Sequence, residues 1–163
     1  MLDFNQCLNT AKSAALLAGK FLVNAKGKNL EVLSNNDRDI KLQLDIDTEK
    51  LIKKNISSDS PYPILGEETG LCGDLDGFYW VVDPLDGTSN FFRGIPISCV
   101  SIALMKNMKP ILGVIYDFNH DEMYSGHHES KAYINDREIN VSSLVLKSES
   151  TLITGIPAKT NYS

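Results

Sequence analysis

The stretch Trp80-Val81-Val82-Asp83-Pro84-Leu85-Asp86-Gly87-Thr88-Ser89-Asn90-Phe91 constrains this chain more than any other part of it. Phe78 to Val82 is aromatic and β-branched, which suits a buried strand. Pro84 has no N–H to give to a sheet ladder, so the strand is predicted to stop near Asp83. Past that stop, Asp83, the Leu85 carbonyl and Asp86 can be presented together at one edge. They are hard oxygen donors, and Mg²⁺ typically takes one or two carboxylates and keeps waters and substrate oxygens for the rest of its shell. Gly87-Thr88 supplies a tight turn, with Thr88 the expected N-cap of a short helical turn through Phe92. Free backbone N–H groups at such a start favour a phosphate. Cation and phosphate sites would then lie close enough for one substrate oxygen to touch both.

A second acidic cluster, Gly66-Glu67-Glu68, follows another apolar run, Tyr62-Pro63-Ile64-Leu65. Each of these features also has a plain reading. Asp-Gly is a common turn pair, so Asp83 and Asp86 could simply cap a turn. Glu67 and Glu68 could be solvated loop charges. Asp47 and Glu49 read as helix-start charges that complement the helix dipole. His120, His127 and His128 sit among Asn, Asp and Glu in a polar turn and read as surface histidines. Arg93 and Lys26-Gly27-Lys28 could meet an anion, yet a solvated charge explains each equally well.

Taken together, WVVDPLDGTSNF with GEE upstream resembles the first signature of the inositol monophosphatase family, Mg²⁺-dependent and lithium-sensitive sugar-phosphate phosphatases. Asp45-Ile46-Asp47-Thr48-Glu49-Lys50 is similar to the acidic segment at the start of that family's second helix. Gly94-Ile95-Pro96, Cys99 to Leu104 and Pro110 to Tyr116 continue the pattern, so the resemblance runs from the first helix to roughly Ser142. It implies that Glu67, Asp83 and the Leu85 carbonyl hold one metal, and that Asp83 bridges to a second held also by Asp86. Glu67, through a further metal, and Thr88 would orient the attacking water. Asp45 would assist in the outer shell or at the Thr88 hydroxyl, and Glu68 has a weaker case as a ligand. Gly87 and Thr88 N–H groups would cradle the phosphate during in-line attack on a phosphate monoester.

The resemblance also marks a departure. The family's last metal-binding Asp belongs to a W-D-x-A-G-like signature downstream, whereas the single tryptophan here is Trp80. The expectation is therefore an N-terminal portion: residues 1–150 as an α+β domain binding metal and phosphate, and residues 151–163 as the start of a second α/β domain. Thr151 to Gly155 reads as strand-like.

Composition limits the alternatives. At 163 residues and 42% hydrophobic, one sizeable core is possible. A net charge of −5 argues against nucleic acid or an anionic membrane as the main partner. No apolar run reaches membrane-span length, and the N-terminus does not open a signal peptide. Cys7, Cys72 and Cys99 lack C-x-x-C spacing and suggest reduced thiols in a cytoplasmic protein. Cys99 reads as core and Cys72 as a residue of a Gly-rich loop.

Along the chain, Phe4, Leu8, Ala11, Ala15, Ala18 and Leu22 recur at helical spacing and predict an amphipathic helix over 3–25. Residues 26–36 read as a loop. A second helix is predicted over about 45–56, with Leu44, Leu51 and Ile52 inward. Strands follow near 62–66, 78–83, 98–105, 109–117, 121–125 and 130–134, with Asn107-Met108 a hairpin-like turn. The fold class is α+β: two N-terminal helices packed on one face of a mostly antiparallel sheet, as in the N-terminal domain of a layered αβαβα sugar phosphatase.

The functional expectation is Mg²⁺-dependent hydrolysis of inositol monophosphate or a related small sugar phosphate, in a full-length homodimer. Two alternatives stand beside it. One is a phosphatase of the same superfamily acting on 3′-phosphoadenosine phosphate, histidinol phosphate or fructose bisphosphate. The other is a metal-binding regulatory half-domain without turnover.

Overall fold

The computed structural model describes residues 3–36 and 39–143, together with 148 and 151. The predicted strand-like segment at 151–155 lies, apart from residue 151, outside the described residues, as does the proposed start of a second domain.

Helix α1 (Phe4–Ala25) opens on Asp3, whose carboxylate accepts from the Gln6 N–H at 3.0 Å. It buries Leu8, Ala11, Ala15, Ala18 and Leu22, the predicted apolar stripe, while Phe4 stays half-buried. That stripe is mostly alanine because α1 lies close on the sheet. At Gly19 even a Cβ would strike the Tyr116 ring. Helix α2 (Gln43–Asp59) packs against α1 and inserts Ile52 and Ile56 into the shared core.

Between the helices the predicted loop over 26–36 is partly wrong. Val32–Asn36 (β1) pairs antiparallel with Asp39–Leu42 (β2), a hairpin hidden in the sequence by its Ser, Asn and Asp content. Among the described residues the main sheet has eight strands: β3 (Ile64–Gly66), β4 (Gly70–Cys72), β5 (Phe78–Asp86), β6 (Cys99–Lys106), β7 (Lys109–Asp117), β8 (Glu122–His127), β9 (Ala132–Ile134) and β10 (Arg137–Ile139). Their spatial order is β10-β9-β8-β7-β6-β5-β3-β4. From β5 to β10 each strand pairs antiparallel with the next, as a meander.

β4 and β10 are three-residue strands that the sequence pattern does not reveal, so Cys72 ends a strand rather than sitting in a loop. Asn107 and Met108 both take positive φ, at 50° and 65°, which gives the two-residue turn whose twist suits a right-handed hairpin. Asn135 and Asp136 do the same between β9 and β10.

Both helices cover one face of this sheet, which is the predicted α+β arrangement. At its centre Trp80 of β5 is fully buried, and its indole N–H donates to the Ser60 hydroxyl at 2.9 Å, just past the end of α2. A buried indole whose N–H is satisfied contributes both area and direction.

Trp80→Ala is expected to cost about 3–5 kcal/mol in urea unfolding, by loss of a large buried ring. Ser60→Ala should cost only about 1 kcal/mol, the worth of one hydrogen bond. Equal losses in the two variants would contradict this account of the core.

Candidate metal and phosphate site

The site is set by one parallel ladder. β3 and β5 run side by side in the same direction, with Ile64 opposite Trp80, Leu65 opposite Val81 and Gly66 opposite Val82. Their C-terminal ends therefore emerge at the same sheet edge, and the next residues on each strand are Glu67 and Asp83. The Glu67 N–H donates to the Val82 carbonyl at 3.1 Å, which fixes this juxtaposition in the backbone.

The strand does not stop at Asp83. β5 runs to Asp86, where it still pairs with Cys99, and the register breaks between Asp83 and Asp86. Pro84, which cannot donate to the ladder, is absorbed in that irregularity. The Leu85 N–H turns back to the Asp83 carboxylate at 3.1 Å. The bulge keeps Asp83 half-buried and leaves Asp86 exposed.

Burial pushes the Asp83 carboxyl well above the ordinary carboxylate range. The neighbouring Glu67 charge, a hydrogen bond between the two carboxyls and the Asp86 charge push it the same way, against the Leu85 N–H. Asp83 and Glu67 thus stand within hydrogen-bonding reach of each other. Like carboxylates so placed resist joint ionisation.

Asp45, in the first turn of α2, joins them from the helix layer. It is 1% exposed, and one carboxylate oxygen accepts from the Leu42 N–H at 2.9 Å. Its other oxygen, Oδ1, is buried with no hydrogen-bond partner among the described residues. Burial raises its pKa to about 7 despite the Leu42 N–H, with help from the Glu68 and Glu67 charges. Glu68 ion-pairs with Lys41 of β2, which ties the β1–β2 hairpin to the acidic edge.

Sequence reasoning places Glu49 among helix-start charges that complement the dipole, but it lies past the first turn of α2 and its carboxylate is used elsewhere. Glu49 is fully buried. Its carboxylate accepts from the Glu68 N–H at 2.7 Å, the Thr69 N–H at 3.2 Å and the Thr69 hydroxyl, and pairs with Lys53 at 3.0 Å. Burial alone would raise its pKa, but these partners outweigh it and leave Glu49 below the usual range. Its spacing in the helix, four residues after Asp45, could have placed it on the same face. Asp47 behaves as expected, bonded to Gln43 and Lys50 near the surface.

After the bulge, Gly87 sits in the left-handed region at φ 87°, and the helical turn α3 (Thr88–Phe92) follows. Gly87, not Thr88, is the N-cap. A Cβ on Gly87 would lie 2.7 Å from the Ile97 carbonyl oxygen, so both conformation and space require glycine. The Thr88 hydroxyl donates to the Leu85 carbonyl at 3.0 Å, not to Asp45. It thereby holds the carbonyl that sequence reasoning names as a ligand.

Cys99, expected in the core, is half-buried beside Asp86, with its thiol 3.8 Å from the carboxylate. Burial, then the Asp86 and Asp83 charges, push that thiol up to about 12, so it stays protonated.

The remaining candidates lie elsewhere. Lys26, Lys28 and Arg93 line a separate cleft of about 630 Å³ with Phe91, Phe92 and Ile95. Lys26 is engaged there with Asn119 at 2.7 Å. His120 pairs with Asp117, while His127 and His128 pack around Phe4. Among the described residues, no group of three or more His, Cys, Asp or Glu side chains is placed so that it could hold a metal ion as it stands. No described helix is long and apolar enough to cross a membrane.

Two features at the acidic edge fit a divalent cation. The buried Asp45 Oδ1 lacks a partner among the described residues, and Asp83 cannot readily ionise beside Glu67 and Asp86 without positive charge nearby. The donor set, carboxylates and one backbone carbonyl, is all oxygen, as a hard cation prefers.

Comparison with known proteins gives this geometry a context. A model of the inositol monophosphatase family matches residues 3–162. Nus factor SuhB of Xylella fastidiosa is 40% identical over 138 residues, covering 83% of this chain and 50% of that protein. Fructose-1,6-bisphosphatase/inositol-1-monophosphatase of Aquifex aeolicus is 33% identical over 164 residues, covering 98% of this chain and 61% of that protein. The crystal structure of the extragenic suppressor protein suhB from Bartonella henselae superposes with a TM-score of 0.78 at 38% identity, covering 83% of this chain and 54% of that one. The chain thus spans little more than half the length of these relatives. By the match along nearly all its length, the chain belongs to the inositol monophosphatase family.

Proposed function

We propose that this chain carries the metal- and phosphate-binding half of a Mg²⁺-dependent phosphatase acting on inositol monophosphate or a related small sugar phosphate. The observation that carries the reading is the register that brings Glu67 and Asp83 to one edge, with Asp86 near enough to act on Asp83 and Glu67 near enough to act on the buried Asp45. The Aquifex relative, whose name joins fructose bisphosphate and inositol phosphate, supports a sugar-phosphate substrate class. Homodimerisation of a full-length form and residence in the cytoplasm belong to the same proposal.

Glu67, Asp83, Asp86 and the Leu85 carbonyl would hold the cation. When bound, Mg²⁺ lowers the pKa of a water and neutralises charge on phosphate oxygens. The chain's own groups do the rest. Asp83, raised by burial, would have to lose its proton to serve as a ligand, since carboxylate ligands must be ionised. The Gly87 and Thr88 N–H groups, held open by the left-handed glycine, donate to the phosphate. The Thr88 hydroxyl, fixed on the Leu85 carbonyl, orients the attacking water through its lone pairs. Asp45 receives or relays a proton from its place under the cluster.

Phosphate release from inositol 1-phosphate, fructose 1,6-bisphosphate, adenosine 3′,5′-bisphosphate and histidinol phosphate, with Mg²⁺ or with EDTA, tests this reading. Release that needs Mg²⁺ supports it, and the preferred ester fixes the substrate class. Release undiminished in EDTA contradicts it. Cation binding without release from any ester would favour a regulatory half-domain instead.

Asp83→Asn is expected to abolish tight Mn²⁺ binding in a calorimetric titration, through loss of the bridging charge. An unchanged isotherm would remove Asp83 from the site. Thr88→Ala should lower kcat by at least about tenfold and leave Mn²⁺ affinity within about twofold, because general acid–base and orienting groups act on the reacting water. Equal losses in both would contradict that role.

The raised carboxyls also set a pH dependence. A raised folded pKa favours the protonated form, so the contribution of Asp45 and Asp83 is complete below about pH 4 and is lost as pH climbs through their folded values. For Asp45 that value is about 7. Without metal, Tm should therefore fall as pH rises from about 4 to about 7, and saturating Mg²⁺ should reverse the fall. A Tm that rises over that range in EDTA would show that these groups are not buried as described.

A further inference from the structure

Glu49 is a charged group that neither metal nor phosphate chemistry uses, yet it is fully buried and engaged on several sides. Its partners are not scattered. The Glu68 N–H, the Thr69 N–H and the Thr69 hydroxyl all belong to the short turn between Gly66 and Gly70, where β3 reverses into β4. Lys53, one turn further along α2, neutralises the carboxylate and also reaches the Thr69 hydroxyl oxygen and the Gly70 carbonyl. On the opposite side Gly66 leaves just the room the carboxylate needs, since a Cβ there would fall on the Glu49 oxygens.

The turn so gripped is the one that carries Glu67. It has only three residues between the two strands and few apolar contacts of its own, as Glu67 and Thr69 are exposed. With the carboxylates ionised, as a cation requires, repulsion would drive Glu67 away from Asp83 and Asp86. Something must hold the turn in place against that repulsion before a cation arrives. The Glu67 N–H bond to Val82 anchors one end. The Glu49 clamp anchors the other end, at Glu68 and Thr69.

We infer that Glu49 is a positioning residue, a buried anion that fixes the Glu67 turn from the helix layer so that the Glu67 carboxylate stands beside Asp83 ready for a cation. This rests on the reading of Glu67 as a metal ligand. Gly66, Thr69 and Lys53 are parts of the same device: the glycine makes the room, the threonine supplies two of the donors, and the lysine balances the charge. The device explains why α2 carries two buried acids one turn apart. Asp45 faces the cluster directly, whereas Glu49 acts on it through the backbone.

The test is a double-mutant cycle on the 163-residue chain, with Mn²⁺ affinity read by calorimetry. Glu49→Gln keeps the shape of the side chain but puts an amide donor among N–H and O–H donors. It is expected to weaken Mn²⁺ binding by about 10–100-fold, the range for groups that orient metal ligands from behind. In a Glu67→Gln background the same change should cost nothing further, because the ligand that the clamp positions is already gone. A loss of equal size in both backgrounds would reduce Glu49 to a general structural role and overturn the inference. Full Mn²⁺ affinity in Glu49→Gln would overturn it too. If Glu67→Gln itself leaves Mn²⁺ affinity unchanged, the reading of Glu67 as a ligand fails, whatever Glu49 does. Should Glu49→Gln fail to fold, Thr69→Val removes only the hydroxyl leg of the clamp, and the same cycle decides. A loss confined to the background that keeps Glu67 supports the clamp, and equal or absent loss overturns it.

Discussion

The pairing of β3 with β5 in parallel is the constraint on which the rest of this structure depends. Every other described ladder in the main sheet is antiparallel, so successive strand ends alternate between opposite edges. One parallel pair breaks the alternation and brings two strand ends to the same place. Because Gly66 stands opposite Val82, the residues that follow are Glu67 and Asp83. A shift of one residue would turn one of these side chains to the other side of the sheet. Register, rather than any side-chain attraction, is what forces carboxylates together here.

Forced proximity of like charges is costly, and the surrounding structure offsets it in several ways. Burial and the neighbouring acids favour the protonated form of Asp83, and Asp45 is held partly protonated near neutrality by burial. Lys41 lies against Glu68. The backbone itself takes part, through the Glu67 N–H on Val82 and the Leu85 N–H on Asp83. The fold therefore gives up stability for an arrangement of close acids, which is more often the mark of a site than of a core.

Much of this architecture is legible in the amino-acid sequence. The helical stripe of α1, the strands from β5 to β8 and the Asn107-Met108 turn follow from periodicity and turn chemistry, since each is long or carries residues of fixed preference. The short strands β1, β4 and β10 are not legible, because three to five residues rich in Ser, Asn, Gly or Arg carry no period. Pro84 misleads in a different way: it ends ladder bonding locally, yet a bulge lets β5 continue to Asp86. The acidic residues at the edge stand out by type and order. Glu49 does not, because a charged residue early in a helix is usually solvated. Only the tertiary packing of α2 against the Gly66–Gly70 turn makes it an interior anion. The role of Thr88 as a brace on the Leu85 carbonyl is likewise set by the bulge and has no local signal.

Anomalous diffraction from crystals of this chain soaked in Mn²⁺ would test the central claim most directly. The expected result is an anomalous peak within bonding distance of Glu67, Asp83 and the Leu85 carbonyl, with Asp86 at the same or an adjoining ion. A peak elsewhere on the chain, with these four groups in contact with nothing but water, would contradict the assignment of this edge as the metal site.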